Sequence, residues 1–267
     1  MIRPSVLVFA GSDPSGGAGI QADIQAIAAL GAHPLSVITA LTVQDNDRVF
    51  AVHPVPPSLV RQQAAALTDK VSIAAVKIGI VADLANAETI VTIVRELRTR
   101  QPQLPVVFDP VLASGHGDAL AVGNAVRNIA PLMAIATLIT PNLIEAAALC
   151  ADAEGDNPAG QAASLMARGC AHVLIKGGHG APDAAVLNQW FSANDSRTWT
   201  WPRLPGAFHG SGCTLASAIA ACLAQDMPIA ESLEQAQRYC HRALAASYVI
   251  APGQRIPNRY AVIREQT

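Results

Sequence analysis

The sequence predicts an α/β fold: a single three-layer α/β/α sandwich on a mostly parallel central sheet, one domain spanning residues 1–267. Two observations lead there. Short runs dense in Val, Ile, Leu and Ala recur with helical segments between them, and strands that are apolar on both faces belong to parallel sheets covered by crossover helices. No internal repeat, low-complexity tract or domain-separating linker interrupts the series, and 267 residues that are 51% hydrophobic suffice for one large core.

The first strand is expected at 5–10, followed by a glycine-rich connection and a helix at 20–30. In that helix Ile20, Ile24, Ile27 and Leu30 recur at helical spacing and Gly31 follows as the terminating residue. Further buried strands are expected at 34–41, 74–80, 106–112, 137–140 and 172–175. Residues 184–191 and 197–201 flank a turn-like Ser-Ala-Asn-Asp-Ser stretch and read as a hairpin appended to the sheet. From Gly212 onward the pattern is helical, beginning with a small-residue stretch able to pack close to its neighbours.

A net charge of −2 with scattered arginines lacks the basic stripe that nucleic acid or an anionic membrane requires, which leaves a small neutral or anionic ligand as the expected partner. The apolar run at 5–10 is too brief for a secretion signal, and no uninterrupted run reaches the roughly 18 residues of a membrane span. Cys150, Cys170, Cys213, Cys222 and Cys240 are odd in number and form no C-x-x-C pair, so reduced thiols and a cytoplasmic location are expected.

Three groups of residues carry chemistry. Gly11-Ser12-Asp13-Pro14-Ser15-Gly16-Gly17-Ala18-Gly19 lies between a strand and a helix, where open α/β sheets place the mouth of a site. Gly17-Ala18 stands where a phosphate-binding P-loop needs Lys and Ser/Thr, and no G-x-G-x-x-G is present. His209-Gly210-Ser211-Gly212-Cys213-Thr214 opens a helix, so the amides of Gly210, Ser211 and Gly212 and the macrodipole form an anion hole for a transferring phosphoryl group. There the dipole is expected to lower the Cys213 thiol pKa, making it a proton acceptor; the other reading is a small buried hydrophobe, and a Cys/His hydrolase is the rival chemistry.

Asp109 and Glu145 each fall at the carboxyl end of an expected strand and are candidate Mg²⁺ ligands, although Asn142 and Glu145 read equally well as a helix capping box. Lys70, Lys77 and Lys176 are the only lysines. Lys176, at a strand end before Gly177-Gly178, suits a nucleotide phosphate, and Lys77 inside an apolar run calls for a carboxylate partner.

Residues 11–23, Asp109-Pro110-Val111, Ile139-Thr140-Pro141-Asn142-Leu143, Lys176-Gly177-Gly178-His179 and His209–Thr214 together resemble the hydroxymethylpyrimidine/phosphomethylpyrimidine kinases of the ribokinase-like superfamily. The resemblance implies a homodimer that uses ATP and Mg²⁺ to phosphorylate 4-amino-5-hydroxymethyl-2-methylpyrimidine and then its monophosphate, in thiamine biosynthesis. It implies that Gln44 grips the aminopyrimidine with its carboxamide, that Asp23 assists, and that Gly11, Ala18 and Ile80 line the same subsite. Lys176, Asn142 and Thr214 would hold ATP, and Cys213 stands where most sugar kinases of the superfamily carry a catalytic Asp. The chain departs from the family in having Asp45-Asn46 after Gln44 where Asn-Thr is usual, Ile80 for a frequent Met, and Ser211 for a usual Thr. A pyridoxal or pyridoxine kinase of the same fold and a non-catalytic pyrimidine-binding relative are the alternatives.

Overall fold

The computed structural model describes residues 2–151, 157–180 and 185–261. The strands are β1 (Ser5–Ser12), β2 (His33–Gln44), β3 (Val49–Pro54), β4 (Ala75–Ile78), β5 (Val106–Phe108), β6 (Leu138–Ile139), β7 (His172–Ile175), β8 (Val186–Ser192) and β9 (Ser196–Trp201). The helices are α1 (Gly19–Ala29), α2 (Pro57–Thr68), α3 (Leu84–Arg100), α4 (Ala125–Ile129), α5 (Leu143–Leu149), α6 (Pro158–Ala167), α7 (Ser211–Leu223) and α8 (Ile229–Ala245). All strands join one nine-stranded sheet in the order β3-β2-β1-β4-β5-β6-β7-β8-β9. The pairs from β2 through β7 are parallel, and antiparallel hairpins close both edges.

Alternation along the central strands divides the core into two layers. On β1, Val6, Val8 and Ala10 pack against α1, α7 and α8, whereas Leu7 and Phe9 meet the layer of α2, α3, α5 and α6. Both sets are buried, as the near-continuous apolar runs require. Between Thr214 and Cys222 every residue of α7 is buried, and its alanines bring it close to α1 and α8.

The expected strands are present with shifted ends. Both β1 and β2 run beyond the expected limits, whereas β4 and β5 stop at Ile78 and Phe108 because the chain leaves the ladder there to form the rim of a cavity. Position 184, the expected start of the hairpin, lies outside the described residues; the hairpin itself is β8–β9. Sequence reading gave no strand for β3, which pairs antiparallel with the far half of β2 and leaves Leu41, Val43 and Phe50 exposed. After α1, Gly31 adopts φ +86°, the left-handed conformation expected past a helix end.

Candidate active site

The carboxyl ends of the parallel strands deliver most of the candidate residues in spatial order. Gln44 ends β2, Gly11 lies on β1, Ile80 follows β4, Asp109 follows β5, Asn142 follows β6 and Lys176 follows β7. With neighbouring strands about 4.8 Å apart, the residues expected to hold a ring stand over β2, β1 and β4, and the charged residues stand over β5 to β7. All of them line one cavity of about 270 Å³, together with Ala18, Glu145, Gly210, Ser211, Gly212 and Cys213. A second cavity of about 400 Å³ adjoins it, sharing Asn188, Phe208, Ser211 and Leu215 and bounded farther out by Trp201, Gln237 and His241.

The start of α7 sits over the middle of this row. Its N-cap, Gly210, adopts φ +77°, and no side chain caps the helix. The amides of Ser211, Gly212 and Cys213 meet no acceptor among the described residues, which leaves them available to an anion at the positive end of the helix. A Cβ on Gly210 would lie 2.1 Å from the Gly17 carbonyl oxygen, so the two glycine-rich turns touch backbone to backbone. A Cβ on Gly212 would lie 3.2 Å from Lys176 Nζ and 3.4 Å from Asp109 Oδ2, which places both charges directly against the helix start.

The 13–18 turn is organised by Asp13. Its carboxylate accepts from the Ser15 and Ala18 amides at 2.8 and 2.7 Å, from Ser15 Oγ at 3.0 Å and from His209 Nε2 at 2.8 Å. Burial pushes this carboxyl up, but His209 and Ser15 outweigh it and hold the pKa below the usual value. His209 thus spends its Nε2 on Asp13 across the two turns, and among the described residues no hydrogen bond joins its ring to the Cys213 thiol as a Cys/His hydrolase requires.

Lys176 donates to Asp109 Oδ1 at 2.8 Å and stands 4.0 Å from Glu145 Oε2, while Thr140 donates to the same Asp109 oxygen at 3.0 Å. Burial opposes the Lys176 charge, yet the two carboxylates raise its pKa above the ordinary lysine value. Asn142 and Glu145 do form a reciprocal capping box on α5. That role leaves the Glu145 carboxyl on the cavity wall, where burial, helped by the Asp109 charge and opposed by Lys176, pushes it up to about 7.

Three expectations need correction. Asp23 does not line the cavity: it is fully buried beneath it, accepting from Lys77 Nζ at 2.9 Å and Ser217 Oγ at 2.7 Å, so it pins α1, β4 and α7 together. The Lys77 expectation of a carboxylate partner is met by this pair. Thr214 also faces inward, its hydroxyl donating to Gly210 O at 2.8 Å and accepting from Arg259 Nε at 2.9 Å. The Cys213 thiol, expected below its ordinary pKa, is pushed up to about 11, because burial outweighs the nearby Lys77 charge.

Sequence reading assigned no role to Arg259, which lies in an irregular segment after α8, nor to the Asp13–His209 pair. It also gave no contacts for the adjoining cavity, where Asn188 donates to Gln237 Oε1 at 2.9 Å and Trp201 Nε1 donates to the same oxygen at 3.0 Å. Only the proximity of Asp13 to the glycine-rich motif carried any signal.

Comparison with known proteins bears on this constellation. Residues 13–258 match the family described as phosphomethylpyrimidine kinase. A hydroxymethylpyrimidine/phosphomethylpyrimidine kinase of Rhizobium meliloti is 40% identical over 258 residues, covering 93% of this chain and 93% of that protein. Among solved structures, phosphomethylpyrimidine kinase from Clostridium difficile 630 is similar with a TM-score of 0.74 and 32% identity, over 89% of this chain and 98% of that one. A pyridoxal kinase of Bacillus subtilis in complex with ADP gives a TM-score of 0.84 at 25% identity, over 98% of this chain and 100% of that one. The ribokinase-like architecture is therefore shared with both kinds of kinase, but the sequence match over nearly the whole chain selects between them, and the chain belongs to the phosphomethylpyrimidine kinase family of phosphotransferases.

Proposed function

We propose that the cavity transfers the terminal phosphoryl group of ATP to the hydroxymethyl group of 4-amino-5-hydroxymethyl-2-methylpyrimidine and then to the resulting monophosphate, in thiamine synthesis. One observation carries this reading: a single cavity is walled by Gln44, Gly11, Ala18 and Ile80 over β2, β1 and β4, and by uncapped helix amides with Lys176 and Asp109 beyond them. A carboxamide offers a donor and an acceptor to the polar edge of an aminopyrimidine, and small or aliphatic neighbours suit its faces. Asp23 supports this subsite only from below, through Lys77 and Ser217.

The phosphate side follows from charge. Phosphoryl transfer asks the protein chiefly for positioning and for neutralisation of the equatorial oxygens. The amides of Ser211, Gly212 and Cys213 supply fixed donors, and donors preorganised in this way are worth roughly 2.7–4 kcal/mol each at a developing charge. Lys176 adds a full charge beside them, and Asn142 lies at the neighbouring strand end. Cys213, neutral at pH 7 with its pKa near 11, is a weak proton acceptor, so charge and positioning carry the larger share of the rate.

Mg²⁺ fits the donor set. Asp109 and Glu145 share one ammonium, Lys176, and burial, helped by the Asp109 charge, drives Glu145 toward its neutral form against it. Those two carboxylates would hold the ion directly or through its waters, and it would neutralise nucleotide phosphate charge. The adjoining cavity, with Trp201, Phe208 and the Asn188–Gln237 pair, offers stacking and amide groups to a nucleoside. A homodimer in a reducing cytoplasm completes the reading; the exposed Leu41, Val43 and Phe50 on the β2–β3 ribbon and the free cysteines are in keeping with it.

A coupled ADP-release assay with Mg-ATP and hydroxymethylpyrimidine, its monophosphate and pyridoxal side by side tests the proposal. Both pyrimidines are expected to turn over with kcat/KM at least about tenfold above that for pyridoxal, on the order of one lost polar contact. A preference for pyridoxal would transfer the reading to the alternative, and ligand-dependent thermal stabilisation without ADP release would make the chain a binder.

A further inference from the structure

We propose that Arg259 is a positioning residue for phosphoryl transfer, a buried guanidinium that braces the anion-binding start of α7 and has the transferring phosphoryl group as its counter-charge. The inference rests on the phosphoryl-transfer reading above and deepens it.

Arg259 is 1% exposed. Its Nη2 donates to Gly17 O at 2.5 Å and to Gly210 O at 3.5 Å, its Nε to Thr214 Oγ1 at 2.9 Å, and its Nη1 to Gln25 Oε1 at 3.4 Å. Every acceptor is neutral, and no carboxylate accepts from Arg259 among the described residues. Taking a charge out of water without an opposite charge in contact is costly, and hydrogen bonds to neutral carbonyls and a hydroxyl offset only part of that cost. Burial pulls this guanidinium below the ordinary arginine pKa against the through-space pull of Asp23, whose carboxylate is already occupied by Lys77 and Ser217, and an arginine remains charged at any physiological pH.

The missing counter-charge belongs on the far side of Gly210. Thr214 N and Thr214 Oγ1 also donate to the Gly210 carbonyl, at 3.0 and 2.8 Å, so this dipole is drawn inward with its negative end against Arg259. The amides of Ser211, Gly212 and Cys213 are left on the cavity side, and the guanidinium stands behind them as a whole positive charge added to the partial one of the helix. Holding the two turns together does not by itself require it, because the Asp13–His209 pair already joins them. The Tyr239 hydroxyl, on α8, donates to Arg259 O at 2.9 Å and fixes where the side chain starts.

The test compares Arg259→Gln, which can still hydrogen-bond but carries no charge, with Arg259→Lys, which keeps charge and loses donors. With Mg-ATP and hydroxymethylpyrimidine, the Gln variant is expected to lose about 10–100-fold in kcat, below the roughly 10²–10³-fold of a direct donor, with the pyrimidine KM within about threefold. The Lys variant is expected to keep kcat within about fivefold of wild type even if it melts lower. Equal kcat in the two variants, or a loss that follows melting temperature alone, overturns the proposal. Should the Gln variant not fold, the near-isosteric Tyr239→Phe serves in its place, with kcat expected to fall at unchanged pyrimidine KM; wild-type kcat there counts against the role. Calorimetry with ADP plus aluminium fluoride needs no turnover: weaker binding in the Gln variant, with ADP alone unaffected, supports the role, and equal binding refutes it. A wild type that binds this mimic but phosphorylates neither pyrimidine sinks the substrate reading and leaves the positioning result standing.

Discussion

At the scale of single residues, Gln44 carries the ring-recognition claim. Truncation to Ala leaves the polar edge of a bound aminopyrimidine unpaired, so affinity is expected to fall by about 1–3 kcal/mol, roughly 5- to 150-fold, while ATP binding is unchanged. Calorimetry with the pyrimidine and with nucleotide separately checks it; equal pyrimidine affinity removes the role. Lys176 and Asp109 were legible because a lone lysine and a lone acid at strand ends can only face the mouth of such a sheet. Asp23 and Thr214 were not, since a position within or beside a motif does not say whether its side chain turns to the cavity or to the core. Cys213 lines the cavity, but its pKa runs opposite to the expectation: desolvation outweighs the nearby Lys77 charge, and burial cannot be read from one chain position. Arg259 left no trace in the sequence, because its partners lie 242 residues away at Gly17 and 45 away at Thr214.

At the scale of elements, α7 and the 13–18 turn stand or fall together. Gly210 needs its left-handed φ of +77° and has no room for a Cβ, which would meet Gly17 O at 2.1 Å. Gly210→Ala is expected to cost at least about 1–3 kcal/mol of stability and to lower kcat by about 10²-fold or more, the worth of misplaced donors. Urea unfolding and steady-state kinetics read the two effects, and a variant with wild-type values in both would mean that the turns need not touch. The parallel strands were visible in the sequence because burial on both faces leaves a continuous apolar run. β3 was not, because an edge strand that fully buries none of its residues and turns Phe50 outward shows neither a continuous apolar run nor a clean alternation. The end of β5 was overestimated for a related reason: Pro110, Val111 and Leu112 continue the apolar run after Asp109 has left the ladder.

At the scale of the whole molecule, the parallel sheet concentrates charge at its carboxyl edge, and stability should register it. Glu145 titrates near 7 when folded against an ordinary value of 4.5, so the native state holds an extra proton between those values and stability falls as pH rises through that window, levelling above it. The loss amounts to about 3 kcal/mol if the full shift is realised. Wild type minus Glu145→Gln, measured by urea unfolding from pH 4.5 to 8, is expected to trace this decline, and millimolar Mg²⁺ to recover part of it above pH 7 but little at pH 5. A pH-independent difference would contradict the assignment. Parallel pairing and layering followed from the run of strands and helices, whereas the strand order and the depth at which Glu145 sits required the folded chain. The β2–β3 ribbon has a consequence of another kind. Gln44 hangs on a two-stranded extension joined by a tight turn, and its register already slips between Val43 and Gln44. Since side chains on a strand alternate sides and β1 fixes β2 only as far as Leu41, inserting or deleting one residue between Leu41 and Gln44 would turn the carboxamide to the opposite face of the ribbon while sparing both cores. The length of that short stretch therefore decides which side chain meets the cavity beside Gly11 and Ile80, without a single change at Lys176, Asp109 or the start of α7.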